Sequence, residues 1–225
     1  MLMNALIRKD VYTQKTSTYL ISALWFIIFT NFFTDGQPVR HVLLLIFVAY
    51  FIAISTSSKA FEKESVLLNS LPVTRKQFVL AKYASGFIWF GLSTVAVLFY
   101  IFLFGTFAPF PTRMMTIPEL LIALGFFYLI LSLFYPLQYK AGYVLASSLT
   151  IALPLLSMMS FRIILNIMEN PRMVAEQKFF LQTAELITTN QWTIALSILL
   201  VSALLTWLSI LLSIRIVSKT DFDHA

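Results

Sequence analysis

Hydrophobic and polar positions divide the chain into long uncharged runs separated by short charged stretches. Counted from one charged residue or histidine to the next, the main uncharged runs are 16–34, 42–58, 83–112, 120–139, 141–161 and 186–214. A helix needs roughly 20 apolar residues to cross a bilayer, and each run is close to or above that length. The pattern therefore predicts an all-α membrane protein with six transmembrane helices.

The composition supports a membrane protein over a soluble one. Hydrophobic residues make up 59% of the chain and charged residues 12%, whereas an average soluble domain has roughly 25% charged residues. A soluble fold of this size would lack the polar side chains needed to cover its surface. A single transmembrane domain over residues 1–225 is expected, because no internal repeat, low-complexity segment or linker marks a second one.

The basic residues indicate how the chain is oriented. With both termini in the cytosol, 11 of the 16 lysines and arginines fall on the inner side and 5 on the outer side. This arrangement satisfies the positive-inside rule. The formal net charge of +6 then reflects membrane topology, and no nucleic-acid partner is expected.

The N-terminal residues 1–17 are expected to form an interfacial helix that lies in the membrane plane. Ile7 and Val11 fall on one face of this helix, while Arg8 and Lys9 can reach phosphate headgroups. The alternative is a cytosolic tail whose basic residues only set the topology.

The stretch from Lys59 to Lys82 interrupts the apolar pattern with 7 charged residues. Its apolar residues, which include Phe61 and Leu68, have the spacing of a helix. Pro72 discourages a continuous helix into the next span. The stretch is thus predicted to be a structured cytosolic surface between the second and third transmembrane helices, suited to contact with a partner.

The third transmembrane helix is predicted to begin at the end of this stretch. Thr74 and Gln77 have the spacing of a capping box. Arg75 and Lys76 occupy the first turn, where the helix dipole disfavours positive charge by some tenths of a kcal/mol each. Two explanations for these basic residues remain open: they set the cytosolic topology, or they contact an acidic surface of a partner.

The largest segment on the outer side is residues 162–190. Asn170 and Pro171 are typical of a helix N-cap followed by proline at the first helical position. Two short outer helices between the fifth and sixth spans are therefore expected, lying on or dipping into the outer membrane surface.

Residues for catalysis or for cofactor or metal binding are lacking in the sequence. The chain has no cysteine and no phosphate-binding loop, and its two histidines fall on opposite sides of the predicted membrane. The spans carry no charged residue at mid-depth, which argues against a small ion as cargo. A non-catalytic chain is predicted. The hydroxyl cluster at 55–58 is interpreted as helix packing, with lining of an inner mouth as the alternative.

Taken together, the N-terminal amphipathic helix, the six spans and the loop FEKESVLLNSLPVTRKQFVLAKY resemble the ABC-2 type permeases over essentially the whole chain. The nearest resemblance is to short bacterial permeases of peptide and bacteriocin-immunity exporters, including those that export phenol-soluble modulins. In such permeases this loop is the coupling helix that docks in a cleft of the ATPase subunit. The resemblance implies an ATPase-coupling role for Phe61, Glu62, Glu64, Leu68, Leu71, Pro72, Arg75 and Lys76.

The same resemblance implies an assembly of two permeases, identical or different, with a cytosolic ATPase dimer in the bacterial cell membrane. ATP and magnesium would be bound by the ATPase, with no cofactor in this chain. The cargo would be an amphipathic or hydrophobic molecule, expected to be a peptide, that leaves the cell. Glu62 and Glu64 would pair with basic groups of the ATPase, and Leu68 and Leu71 would fill an apolar pocket.

Two other functions fit the same composition. A non-transporting immunity or sensor protein would bind a peptide at its outer helices and would need neither an ATPase nor the charged segment 59–82. An autonomous secondary carrier would transport its cargo under an ion gradient alone.

Overall fold

The described part of the chain is helical throughout. The structure is a computed structural model that describes residues 2–12, 14, 16–32, 38–55, 74–107, 113–169, 178–179, 181–182, 185 and 189–219. Within these residues the main helices are α1 (Leu2–Tyr12), α2 (Thr16–Phe32), α3 (Pro38–Ser55), α4 (Arg75–Phe107), α5 (Ile117–Ala141), α6 (Tyr143–Glu169) and α7 (Gln191–Lys219). The prediction of an all-α fold is confirmed over this part of the chain.

Each predicted span coincides with one helix from α2 to α7. Among the described residues, three helices are long and apolar enough to cross a membrane by length and composition, namely α4, α5 and α7. The described apolar stretches of the other three are shorter: Thr16–Ile27, Arg40–Ser55 and Tyr143–Leu153. The fold thus contains three clear candidate spans together with three shorter apolar helices.

The start of α3 differs from the prediction. The helix begins at Pro38, four positions before the expected start at residue 42, so Arg40 and His41 lie within its first turns instead of in an outer loop. Both side chains are buried, and an arginine Nη2 atom donates a hydrogen bond to His41 Nε2 at 3.2 Å. The Arg40 guanidinium also lies 5.8 Å from the ring centre of Phe104 on α4. These contacts let α3 keep two polar residues inside the bundle.

The end of α6 also differs. The helix continues to Glu169, so residues 162–169 extend the fifth predicted span and do not form a separate short helix. Apolar residues such as Ile164 and Ile167 continue beyond Arg162, which allows the helical pattern to persist. Asn170 and Pro171 lie outside the described residues. The described positions of the segment 178–189 have helical backbone, and those from 178 to 185 are exposed.

The most extensive helix contact within the described chain is between α5 and α7. Gly125 allows this close approach, because a Cβ atom there would lie 2.7 Å from Cγ2 of Ile198. Polar contacts join the same helices to α4: Tyr83 donates to Ser209 Oγ at 2.6 Å, and Ser209 donates to the Ser132 carbonyl at 2.5 Å. These contacts join the three long helices, and α3 contributes the most buried segment of the described bundle, residues 44–50.

A single residue connects α5 to α6. Gly142 has φ of 87°, a left-handed value that side-chain-bearing residues rarely adopt. Its amide donates to the Gln138 carbonyl at 3.0 Å, and its carbonyl accepts from Ala146 at 3.2 Å. The prediction of a tight turn is confirmed at Gly142, whereas residues 138–141, which were included in the predicted turn, belong to the last turn of α5.

Candidate functional site

The start of α4 is defined by the predicted capping box. The Thr74 amide donates to Gln77 Oε1 at 3.1 Å, and the Gln77 amide donates to Thr74 Oγ1 at 3.3 Å. The Thr74 carbonyl accepts the first helical bond from Phe78 at 3.1 Å. The capping box is confirmed, and it fixes where the predicted coupling segment 59–76 joins the long helix.

Arg75 connects the start of α4 to the end of α7. One guanidinium nitrogen donates to the Val217 carbonyl at 3.0 Å and to the Ser218 carbonyl at 2.9 Å. Carbonyl groups in the last turn of a helix lack partners of their own and attract positive charge. The charge that is unfavourable at the start of α4 is therefore stabilised by the end of α7. Lys76 is exposed, so it is the more accessible of the two to a partner protein.

Replacing Arg75 with alanine is expected to destabilise the fold by about 1–2 kcal/mol, because two charge-assisted hydrogen bonds to α7 are lost. The matched variant Lys76→Ala removes the neighbouring positive charge from the same turn and is expected to change stability by less than about 0.5 kcal/mol. Thermal unfolding of both variants in detergent measures the difference. Equal effects of the two substitutions would contradict this assignment.

The N-terminal helix α1 packs against α4 through a face that the sequence did not reveal. Among its described side chains, Leu6 and Asp10 are buried. Lys82 Nζ on α4 lies 3.0 Å from Asp10 Oδ1, and each side chain of this ion pair is 4% exposed. Lys82 is the last charged residue of the stretch 59–82, and its position in the sequence does not predict a contact with α1. A signal was present, because an acidic residue four positions after Leu6 falls on the apolar side of an amphipathic helix.

The predicted interfacial residues on α1 surround this buried face. Arg8 is exposed, and its guanidinium lies 5.8 Å from the Tyr12 ring centre. Ile7, Lys9 and Val11 are half-buried, and Val11 packs against the hydrophobic core. Helix α1 is thus amphipathic and ends at Tyr12, before the predicted boundary at residue 17.

Gln14, two positions after the end of α1, contacts the end of α3. Its amide nitrogen donates to Ser55 Oγ at 2.6 Å and to the Ile52 carbonyl at 3.0 Å. Ser55 is the last described residue before position 74. The structure therefore ties the N-terminal region to both described flanks of the predicted coupling segment: to the end of α3 through Gln14 and to the start of α4 through Asp10.

A cavity of about 210 Å³ lies between α2, α3 and the beginning of α6. Its lining alternates hydroxyl-bearing and apolar side chains and includes no charged residue: Thr18, Ile21, Ser22, Phe51, Ile54, Ser55, Tyr143, Ser147 and Ile151. A further bond between Tyr50 and Thr150 joins α3 to α6 about one turn away.

The serines of this cavity have acceptor capacity. Ser22 donates to the Thr18 carbonyl at 2.8 Å, and Ser147 donates to the Val144 carbonyl at 3.0 Å. A serine hydroxyl has one proton to donate and two lone pairs that can accept. The site therefore suits an uncharged, mainly apolar group carrying a hydrogen-bond donor, since burying a bare charge here would be costly. Ser55 lines this cavity and also bonds with Gln14, so this residue of the hydroxyl cluster takes part in packing between elements.

Six of the predicted coupling residues lie outside the described residues: Phe61, Glu62, Glu64, Leu68, Leu71 and Pro72. Of the eight, Arg75 and Lys76 can be placed, on the first turn of α4. Within the described part of the chain, no group of three or more histidine, aspartate or glutamate side chains could hold a metal ion.

These features define a helical integral membrane protein. A family model described as ABC-2 family transporter protein matches residues 5–218. Because this match covers nearly the whole chain, the protein belongs to the ABC-2 family of transporters. A search of curated proteins and a search of solved structures each found no match.

Proposed function

We propose that this chain is the permease subunit of an ATP-binding cassette exporter for an amphipathic or hydrophobic cargo, with a peptide as the preferred candidate. A separate ATPase dimer binds ATP and magnesium, and a second permease chain completes the assembly. Six helices, α2 to α7, cross the bacterial cell membrane with both termini in the cytosol. The single domain 1–225 comprises the interfacial helix, the coupling segment 59–76 and an outer helical segment within 162–190.

The observation that supports coupling is the set of contacts made where α4 begins. In the first turns of α4, Arg75 donates a hydrogen bond to the end of α7, and Lys82 forms an ion pair with Asp10 of α1. The chain between α3 and α4 also carries Glu62 and Glu64 beside apolar residues. A force applied by an ATPase to this segment would therefore reach two other elements, α7 and α1, through short, direct contacts.

The uncharged cavity between α2, α3 and α6 supports the choice of cargo. It offers apolar surface and hydroxyl acceptors and lacks a formal charge. Such a lining favours a side chain or a segment of an amphipathic peptide over a small ion. The short-permease subfamily that exports phenol-soluble modulins is proposed on the likeness of the loop sequence 61–83.

Charge reversal at Glu62 and Glu64, or the substitution Leu68→Ala, is expected to weaken binding of the ATPase. Loss of a buried leucine anchor costs about 2 kcal/mol, which corresponds to roughly thirtyfold weaker assembly. Co-purification with the cognate ATPase and stimulation of its ATP hydrolysis by the permease measure the effect.

Lys140 provides a matched control for charge reversal. It is exposed at the turn between α5 and α6, on the same predicted side of the membrane. Lys140→Glu is expected to leave assembly unchanged. Unaltered complex formation and ATPase stimulation in the Glu62, Glu64 and Leu68 variants would refute the coupling assignment.

A further inference from the structure

The buried ion pair between Asp10 and Lys82 attaches α1 to α4. The two atoms are 3.0 Å apart, and the residues are separated by 72 positions in the chain. Helix α1 has 11 residues, which is shorter than an isolated helix needs to be stable in water. Its position therefore depends on tertiary contacts, and Asp10 supplies a charged one.

A buried ion pair is a poor way to gain stability alone. Removing two charges from water costs free energy that their attraction often fails to recover, so a packed apolar pair can serve as well or better. Such pairs do impose a specific geometry on the elements they join, since neither charge can be left buried without its partner. The Asp10–Lys82 pair accordingly fixes the register of α1 along α4.

Lys82 is well placed to transmit movement. It lies six positions after Lys76, the end of the coupling segment, which is about 9 Å along α4. Its carbonyl accepts hydrogen bonds from Ser85 at 2.9 Å and from Tyr135 of α5 at 3.3 Å. Its Nζ atom also lies 5.8 Å from the Phe78 ring centre. Both the backbone and the side chain of Lys82 are thus fixed by contacts. A displacement of this part of α4 would therefore displace Asp10 as well.

We propose that Asp10 is a positioning residue that makes α1 move together with the first turns of α4 during the transport cycle. The inference rests on the proposed ATP-driven coupling and adds a second moving element to it. Movement of the segment 59–76 reaches Lys82, the ion pair carries it to α1, and Gln14 carries it on to the end of α3. Loss of the pair would leave ATP hydrolysis intact and reduce the transport obtained from it.

The first test compares Asp10→Asn with Lys9→Gln in the reconstituted permease–ATPase complex. Lys9 Nζ lies 3.9 Å from the same carboxylate, but its side chain is 30% exposed. Asp10→Asn is expected to keep ATPase binding and basal ATP hydrolysis and to lower cargo transported per ATP by about fivefold or more. Lys9→Gln is expected to transport normally. The charge swap Asp10→Lys with Lys82→Asp should recover most of the lost coupling.

A second test reads the position of α1 without using transport. The chain has no cysteine, so cysteines introduced at Tyr12 and Phe107 take spin labels uniquely. These side chains are 75% and 82% exposed, and they mark the end of α1 and the end of α4. In samples diluted with unlabelled chain, the distance distribution should be narrow in the parent protein, broad in Asp10→Asn and narrow again in the charge swap.

Each result decides the proposal. An unchanged distance distribution in Asp10→Asn, or a broadened one with normal transport per ATP, would overturn it. A parent complex without ATP-dependent transport would overturn the proposed function as well. If Asp10→Asn does not assemble, the neutral pair Asp10→Asn with Lys82→Gln avoids an unpaired buried charge, and the same two readouts apply.

Discussion

Replacing Gly125 with leucine is expected to disrupt the packing of α5 against α7 and to lower the melting temperature of the protein. A single Cβ atom at this position would already lie 2.7 Å from Ile198 Cγ2 and 3.5 Å from the Ile198 backbone. Real Cβ contacts are essentially never that short, so the Ile198 side chain or the backbone of one helix would have to shift. Overpacking of this kind costs about 1–3 kcal/mol. Because α5 and α7 share the largest contact of the described bundle, the damage would not stay local.

Gly91 on α4 provides the matched control. It is exposed, and a Cβ atom there would have no neighbour within 4 Å. Gly91→Leu should leave stability unchanged or raise it by up to about 1 kcal/mol, since glycine is a poor helix former. Thermal unfolding of both variants in detergent makes the comparison. In the Gly125→Ala variant, the second substitution Ile198→Ala removes the clashing side chain and should recover part of the lost stability. Equal melting temperatures for Gly125→Leu and Gly91→Leu would refute the packing argument.

Local patterns in the sequence were sufficient to predict the helices and the start of α4. Hydrophobic runs predicted one helix for each of α2 to α7, because every run is long and uncharged. The capping box at Thr74 and Gln77 involves residues three positions apart, so its chemistry is contained in the local sequence. The unfavourable dipole position of Arg75 is also evident in the sequence, which leaves cytosolic topology and contact with an acidic partner surface open as reasons for it.

The contact that Arg75 makes with α7 could not be predicted from the sequence. The carbonyl groups of Val217 and Ser218 are about 140 positions away, and only the folded arrangement of α4 and α7 brings them to Arg75. The same holds for Asp10, whose partner Lys82 is separated from it by a complete helical hairpin. Contacts of this range depend on which helix faces pack together, and apolar runs that are hydrophobic on all sides do not encode those faces.

Replacing Ser147 with phenylalanine is expected to lower the rate of cargo transport by about tenfold or more while the protein stays folded. The cavity between α2, α3 and α6 measures about 210 Å³, and apolar cavities of about 150 Å³ are large enough to take up benzene. The introduced ring would therefore fill the space without overpacking it. Because the cavity is partly open, filling it is not expected to stabilise the fold, and the melting temperature should stay close to that of the parent protein. Cargo uptake into inverted vesicles, measured together with cargo-stimulated ATP hydrolysis, tests this expectation.

Ser148 offers a close control for this substitution. Its hydroxyl donates to the Val144 carbonyl at 2.8 Å, the same acceptor that Ser147 uses at 3.0 Å, but its side chain is exposed outside the cavity. Ser148→Phe adds the same ring to the same turn of α6 and should transport at close to the parental rate. If both variants lose transport equally, the loss results from a bulky ring anywhere on this turn of α6 and not from filling of the cavity. If Ser147→Phe transports normally, the cargo does not pass through this cavity, and the path must lie along another face of the bundle.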